Sequence, residues 1–71
     1  MRLRDIREDS DTPQRVLAKY LNITQTAYSL YERGKRQIPP DTLIKLALYF
    51  DTSVDYILEL TDERKPYPRK K

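Results

Sequence analysis

The chain contains no cysteine and no histidine among its 71 residues. Without cysteine it can form neither a disulfide nor a thiolate metal site, and without histidine it lacks the commonest general base and metal ligand. Its single glycine cannot build the glycine-rich loop that holds phosphates in nucleotide-binding enzymes. These absences argue against an enzyme, so we expect no catalytic residues, no cofactor and no metal.

Long apolar runs are also missing from the chain. No stretch reaches the roughly 18 apolar residues that a membrane span needs. The first nine residues, MRLRDIRED, lack the apolar middle of a secretory signal. We therefore expect a cytoplasmic protein without membrane contact. A single small domain with 38% hydrophobic residues must depend on well-packed helices or on a partner subunit for its stability.

Charge is distributed unevenly along the chain. Residues 12–50 carry six basic and two acidic side chains, residues 51–63 carry five acids and no base, and residues 64–71 carry five bases and no acid. The net charge of +3 owes much to the last eight residues and is weak support for a nucleic-acid partner. The segregation is better support, because a basic middle segment suits a polyanion and an acidic segment would face away from it.

Proline and capping residues divide the chain into short helical segments. Leu3 and Ile6 supply the apolar side of a first helix over residues 1–10. Pro13 suits the first turn of a second helix that runs to about residue 20, and Thr12 is its expected cap.

The second half of the chain shows the same pattern. Pro39-Pro40 begins a fourth helix that ends near residue 50 and is the most apolar segment, so we expect it to be the central core helix. Ser53 caps a short fifth helix. These five helical segments predict an all-α fold.

Residues 14–34, QRVLAKYLNITQTAYSLYERG, are typical of two helices joined by a tight turn. Asn22 tolerates the left-handed backbone conformation that ends a helix, and Thr24 is a good N-cap for the third helix. Ile23 and Tyr28 have the spacing of a hydrophobic staple. Gly34 suits the end of the third helix.

Hydrogen-bonding side chains recur on one side of this third helix. Gln25, Ser29 and Arg33 are four residues apart and share a face, with Thr26 and Leu30 beside it. A helix fits the major groove of DNA, where glutamine, serine and threonine can bond to base edges. The alternative is an ordinary solvated helix face. The turn spacing and the YERG ending favour base reading.

The segment QRVLAKYLNITQTAYSLYERGKR resembles the helix-turn-helix of lambda-repressor-like and Cro-like bacterial and phage regulators, also known as the xenobiotic response element type. The resemblance extends through TLIKLALYFDTSVDYIL and covers about residues 2–60. It implies a compact five-helix domain over residues 1–62, in which the second and third helices form the helix-turn-helix. Residues 63–71 would form a basic, flexible tail.

By the same resemblance, the function would be sequence-specific binding of double-stranded DNA as a transcriptional regulator, in particular a repressor. A homodimer would bind a near-palindromic operator, with the recognition helix over residues 24–33 in the major groove. The residues that would read bases are Thr24, Gln25, Thr26, Ser29 and Leu30. The residues that would contact phosphates are Gln14, Arg33, Lys35 and Arg36.

Three further expectations concern individual side chains. The resemblance implies an ion pair between Arg7 and Glu32. Val16 stands where relatives often have glutamate, which leaves an apolar group exposed. Leu30 stands where many relatives are polar or basic, and either touches a thymine methyl or is an unpaired apolar group at the rim.

The fifth helix carries more apolar surface than a short terminal helix needs. The residues expected at a dimer interface are Val54, Ile57 and Leu58. An alternative function uses the apolar surface of residues 54–60 differently: the domain would be a protein-interaction module, such as an antitoxin-type partner. A random-sequence DNA selection would separate the two.

Overall fold

The computed structural model describes residues 1–68, and five α-helices lie in that range. They are α1 (Leu3–Asp9), α2 (Gln14–Leu21), α3 (Gln25–Glu32), α4 (Pro40–Tyr49) and α5 (Val54–Ile57). Residues 1–68 contain no strand. The all-α, five-helix prediction is confirmed. In this range no helix is both long and apolar enough to cross a membrane.

The α2–α3 pair forms the helix-turn-helix, and the two helices pack against each other. Asn22 ends α2 with φ 58° and ψ 44°, in the left-handed region. The next amide, of Ile23, donates to the Ala18 carbonyl at 2.9 Å and closes the turn. The Thr24 hydroxyl oxygen then accepts the Ala27 amide at 3.0 Å. The predicted turn and cap are confirmed.

The expected cap of α2 is wrong. Pro13 itself occupies the N-cap position with an extended backbone, φ −67° and ψ 151°, and no side chain caps the helix. Thr12 is therefore one residue too early, and its hydroxyl donates to the Ser10 carbonyl at 3.4 Å instead. Arg7 holds the Thr12 carbonyl at 3.0 Å, which fixes the loop in this position.

All five helices contribute to one apolar core. A buried leucine or isoleucine contributes about 1.5–3 kcal/mol to folding, so the core supplies most of the favourable free energy. Its buried members are Leu3, Ile6, Leu17, Ala18, Leu21, Tyr28, Tyr31, Ile38, Leu46, Ala47, Phe50 and Ile57.

Only one side of α4 is buried, so it is less central than its composition suggested. Leu46 and Ala47 are in the core, whereas Ile44 and Leu48 are each 51% exposed. These two lie one turn apart on the same side of α4. Tyr20 of α2 stacks against Tyr49 with ring centroids 4.9 Å apart, and both rings remain partly exposed.

The N-terminus is tied to the end of α5. The Arg2 amide donates to the Ile57 carbonyl at 2.8 Å, and its guanidinium donates to the Thr61 carbonyl and to Asp62, both at 2.6 Å. The terminal amino group of residue 1 pairs with Glu59 at 2.8 Å. Part of the acidic segment is therefore neutralised within the chain.

Residues 63–68 form no helix. The Thr52 hydroxyl donates to the Arg64 carbonyl at 2.6 Å, and the Tyr67 hydroxyl donates to Asp55 at 3.0 Å. These bonds place the segment beside α4 and the start of α5. The boundary at residue 62 and the flexibility of the tail stay predictions, and residues 69–71 of that tail lie outside the described range.

Candidate nucleic-acid interface

The exposed face of α3 brings together most of the residues that the sequence singles out for base reading. Because α3 begins at residue 25, Gln25 and Thr26 lie on its first turn, and both are exposed. Ser29 follows one turn later and is partly covered. Together with Gln14 and Arg33 these residues line a shallow open hollow of about 300 Å³. Its surface offers amide, hydroxyl and guanidinium groups to a ligand.

Two predicted base-reading residues are placed differently. The Thr24 oxygen is engaged in capping α3, which leaves its hydroxyl hydrogen free to donate. Leu30 is half-buried and does not line the hollow with its neighbours. Both interpretations of Leu30 stay open: contact with a thymine methyl, or an unpaired apolar side chain at the rim of the interface.

Glu32, Arg7 and Gln14 form a polar cluster behind the hollow. Arg7 Nε donates to Glu32 Oε2 at 2.6 Å and Arg7 Nη2 donates to Oε1 at 3.2 Å. Gln14 Nε2 donates to the same Oε1 at 3.0 Å. This cluster joins the end of α3 to α1 and to the first residue of α2. These bonds hold the end of α3 in place relative to α1 and α2.

The cluster also controls the protonation of Glu32, whose side chain is 2% exposed. Burial alone would raise the pKa of this carboxyl, but the hydrogen bond from Arg7, followed by the neighbouring Tyr28 hydroxyl, Gln14 and the charge of Arg7, outweighs it and lowers the pKa below its ordinary value. Glu32 therefore stays ionised at neutral pH. A buried ion pair of this kind specifies helix registry more than it adds net stability.

Tyr28 lies beneath this cluster, in the core. Its hydroxyl is buried and forms no hydrogen bond of ordinary geometry with another described residue. Burial, and next the neighbouring Glu32 carboxylate, raise the pKa of Tyr28. The ring lies in the core, and Ile23 packs against the same core, while a direct staple contact between the two stays a prediction.

Basic side chains follow the exposed face of α3. Arg33, Lys35 and Arg36 are all exposed, and none of them forms an ion pair within residues 1–68. Their charges are thus available to phosphates. Lys35 and Arg36 also border a second groove with Leu43 and Leu58, next to the end of α5.

Arg4 is a candidate contact that the sequence analysis did not identify. It lines a hollow with Arg7, Gln14, Ser29 and Arg33, so it adds a positive charge beside the end of α3. Its only ion pair in the described part is a long one with a neighbouring glutamate, at 3.5 Å. A signal was available: Arg4 precedes Arg7 by one helical turn and must share its side of α1.

The expected dimer residues divide into core and surface. Ile57 is 0% exposed and belongs to the core of its own chain, so the prediction that it contacts a second chain is wrong. Ile57 is the buried residue of four-residue α5 and packs in the common apolar core. Val54 is half-buried, and Leu58 is 38% exposed. Beyond them Leu60, not named among the predicted residues, is 72% exposed.

The helix-turn-helix class of DNA-binding domains consists of two short helices joined by a tight turn. In this chain the second helix has an exposed polar face, and basic side chains without an ion pair in residues 1–68 follow it. Residues 1–68 hold no cluster of acidic residues that could bind a metal ion. The chain belongs to the helix-turn-helix family, whose model of the Cro/C1 type matches residues 3–57.

Relatives that share this domain are named as regulators. The chain is 39% identical over 70 residues to the uncharacterized HTH-type transcriptional regulator YobD of Bacillus subtilis (strain 168), covering 99% of this chain and 62% of that protein. It is 39% identical over 57 residues to the HTH-type transcriptional regulator ImmR of the same organism, covering 80% and 45%. The chain thus spans about half to three fifths of these relatives. No solved structure matches it significantly.

Proposed function

We propose that this protein binds double-stranded DNA in a sequence-specific manner and regulates transcription as a repressor. The match to the helix-turn-helix family and the relatives named transcriptional regulators support this proposal. In this proposal α3 enters the major groove of operator DNA. The protein acts by binding and not by catalysis, and works in the bacterial or phage-infected cytoplasm, on the nucleoid.

The observation that carries this proposal is the free polar face at the start of α3. Gln25 and Thr26 are exposed there and their side chains form no hydrogen bond within residues 1–68, so both are available to base edges. A glutamine amide can bond to adenine N6 and N7 together, and a threonine can bond to a base or touch a thymine methyl. Ser29 and Leu30 would extend the reading surface by one turn.

Phosphate contacts would hold the helix in register. Arg33, Lys35 and Arg36 follow α3 where it would leave the groove, and Arg4 adds a charge on the α1 side. Gln14 donates one amide hydrogen to Glu32, which leaves its second amide hydrogen for a phosphate and its carbonyl oxygen to accept from Gln25. Such contacts supply affinity that falls as salt rises, without telling one sequence from another.

A homodimer would present two copies of α3 to one operator. The exposed residues near the end of α5, Leu58 and Leu60, are suited to an interface, with Val54 at its edge. Two recognition helices about 34 Å apart would match half-sites one turn of DNA apart. The same apolar surface would serve a different protein partner if the domain were an interaction module.

Selection from random double-stranded DNA tests this proposal. The expected result is enrichment of a near-palindromic site whose half-sites are centred about 10–10.5 base pairs apart. Enrichment of a single half-site would support sequence reading without the dimer. No enrichment, with binding that depends only on salt, would contradict sequence-specific regulation and favour the protein-interaction alternative.

A further inference from the structure

A second hollow adjoins the base-reading hollow of α3, and we call it the α1 hollow because α1 forms one of its sides. Its volume is about 310 Å³. Gln14, Ser29 and Arg33 line both hollows, so the two share a wall. The α1 hollow is lined by residues from α1, from the first position of α2 and from the end of α3: Arg4, Arg7, Gln14, Ser29, Glu32 and Arg33.

Two of the three arginines in the α1 hollow are available to a ligand. Arg7 is held by Glu32 at 2.6 Å, so these two charges cancel. Arg33 forms no ion pair within residues 1–68. Arg4 has only a long contact with Glu8, at 3.5 Å between two largely exposed side chains, and such a pair contributes little. The lining thus keeps a net charge of +2, carried by Arg4 on α1 and Arg33 after α3.

The neutral groups of the α1 hollow suit an anion as well. The Ser29 side chain forms no hydrogen bond within residues 1–68, and Gln14 has a second amide hydrogen left after its bond to Glu32. Arginine, serine and glutamine are side chains that bind DNA phosphates, and the guanidinium fork matches two phosphate oxygens. A DNA strand whose bases face the adjoining hollow would pass this one with its backbone.

We propose that Arg4 and Arg33 hold one and the same backbone phosphate in the α1 hollow, so that α1 takes part in DNA binding beside α2 and α3. The proposal rests on the DNA binding proposed above and adds a contact that holds α3 from its α1 side. Arg7 is unsuited to this task, because Glu32 and the Thr12 carbonyl already accept from its guanidinium. Arg4 is a positioning residue, since it contacts the backbone and no base.

Salt titrations on the selected site and on an unrelated duplex test the part played by Arg4. Arg4→Ala should weaken binding to both by about ten-fold and lower the slope of log K against log salt by about one. Arg4→Lys should restore the slope without restoring all of the affinity, because lysine lacks the guanidinium fork. Lys45→Ala is the matched control: it removes an exposed charge of α4 outside the hollow and should leave the slope unchanged.

Replacing single phosphates of the selected site by uncharged methylphosphonates tests whether the two arginines share a phosphate. One position in each half-site should weaken the wild type about ten-fold, and there neither Arg4→Ala nor Arg33→Ala should weaken binding further. Different positions for the two variants, or an unchanged slope for Arg4→Ala, would overturn this proposal and leave the proposed function standing. If the wild type bound neither DNA, both would fall. Where binding lacks sequence preference, the slope on the unrelated duplex decides.

Discussion

Glu32 shows how a single side chain couples the recognition helix to the rest of the domain. Its carboxylate receives Arg7 from α1 and Gln14 from α2, while its own backbone is the last residue of α3. Three helices thus meet at one buried charge. The family resemblance predicted the ion pair of Arg7 and Glu32, but the sequence could not predict the hydrogen bond from Gln14 to the same carboxylate. It depends on where α2 begins, and Pro13 shifted that start.

The Glu32 cluster predicts a specific dependence of stability on pH. Glu32→Gln keeps the shape but leaves Arg7 without its counter-charge, which should lower the free energy of unfolding by about 3–5 kcal/mol at neutral pH. The folded-state pKa of Glu32 lies below the ordinary 4.5, so its contribution is present above that pH and is lost as pH falls through the lowered value. The gap between wild type and variant should therefore shrink in acid.

Urea unfolding at pH 7, 5 and 3 would measure that gap. Glu8→Gln is the matched control, because Glu8 pairs only with exposed Arg4 at 3.5 Å and should change stability by less than about 0.5 kcal/mol. A gap for Glu32→Gln that is equally large at pH 7 and pH 3 would contradict the role given to its charge.

Arg36 should contribute to affinity for DNA without contributing to the discrimination between sequences. It is exposed in the loop after α3 and free of ion pairs in the described chain. Arg36→Ala should weaken binding to specific and unrelated DNA by a similar factor and reduce the slope of log K against log salt by about one. Salt titrations on both DNAs would measure it. A loss confined to the specific site would show instead that Arg36 reads a base.

At the scale of the element, short-range rules accounted for the turn before α3 and for the caps of α3 and α5. Asn22, Thr24 and Ser53 act through bonds to residues at most four positions away, and such bonds are visible in sequence. The side of α4 that faces the core was not predictable in this way. Ile44 and Leu48 are as apolar as Leu46, and only the packing of the other helices decides which is covered.

Substitution by alanine should have different effects at Thr24 and at Thr26. Thr24→Ala removes the oxygen that accepts the Ala27 amide, and should cost about 1 kcal/mol in unfolding free energy. Thr26→Ala removes an exposed side chain and should change stability by less than about 0.5 kcal/mol. It should nevertheless weaken specific DNA binding.

Urea unfolding and a binding titration on both variants would separate the cap from the reading surface. If Thr24→Ala leaves stability unchanged while Thr26→Ala lowers it, the helix start has been assigned to the wrong residue.

At the scale of the whole molecule, the homodimer that we propose would form through the exposed end of α5. Leu58→Glu places a charge in the proposed interface and should shift the protein to monomer, with weaker binding to a two-half-site operator. Leu48→Glu is the matched control: this leucine is more exposed than Leu58 yet lies on α4, so association should not change. Sedimentation equilibrium at tens of micromolar would measure both.

Either of two outcomes would refute that interface. A wild type that remains monomeric even on operator DNA needs no surface for a second copy. A dimer that Leu58→Glu leaves intact uses another surface. The sequence could indicate spare apolar groups near residues 54–60, but it could not tell that Ile57 turns inward, because a four-residue helix is too short for its periodicity to identify the buried side.

The function that we propose requires the first turn of α3 to read bases, and binding of the Gln25→Ala variant to the selected DNA site is the decisive measurement. Gln25 is exposed and its side chain forms no hydrogen bond within residues 1–68, so the fold should be unaffected. We expect a loss of about 1–3 kcal/mol on the preferred site, relaxed preference at one base pair and unchanged binding to unrelated DNA. Unchanged affinity and preference on the selected site would contradict it.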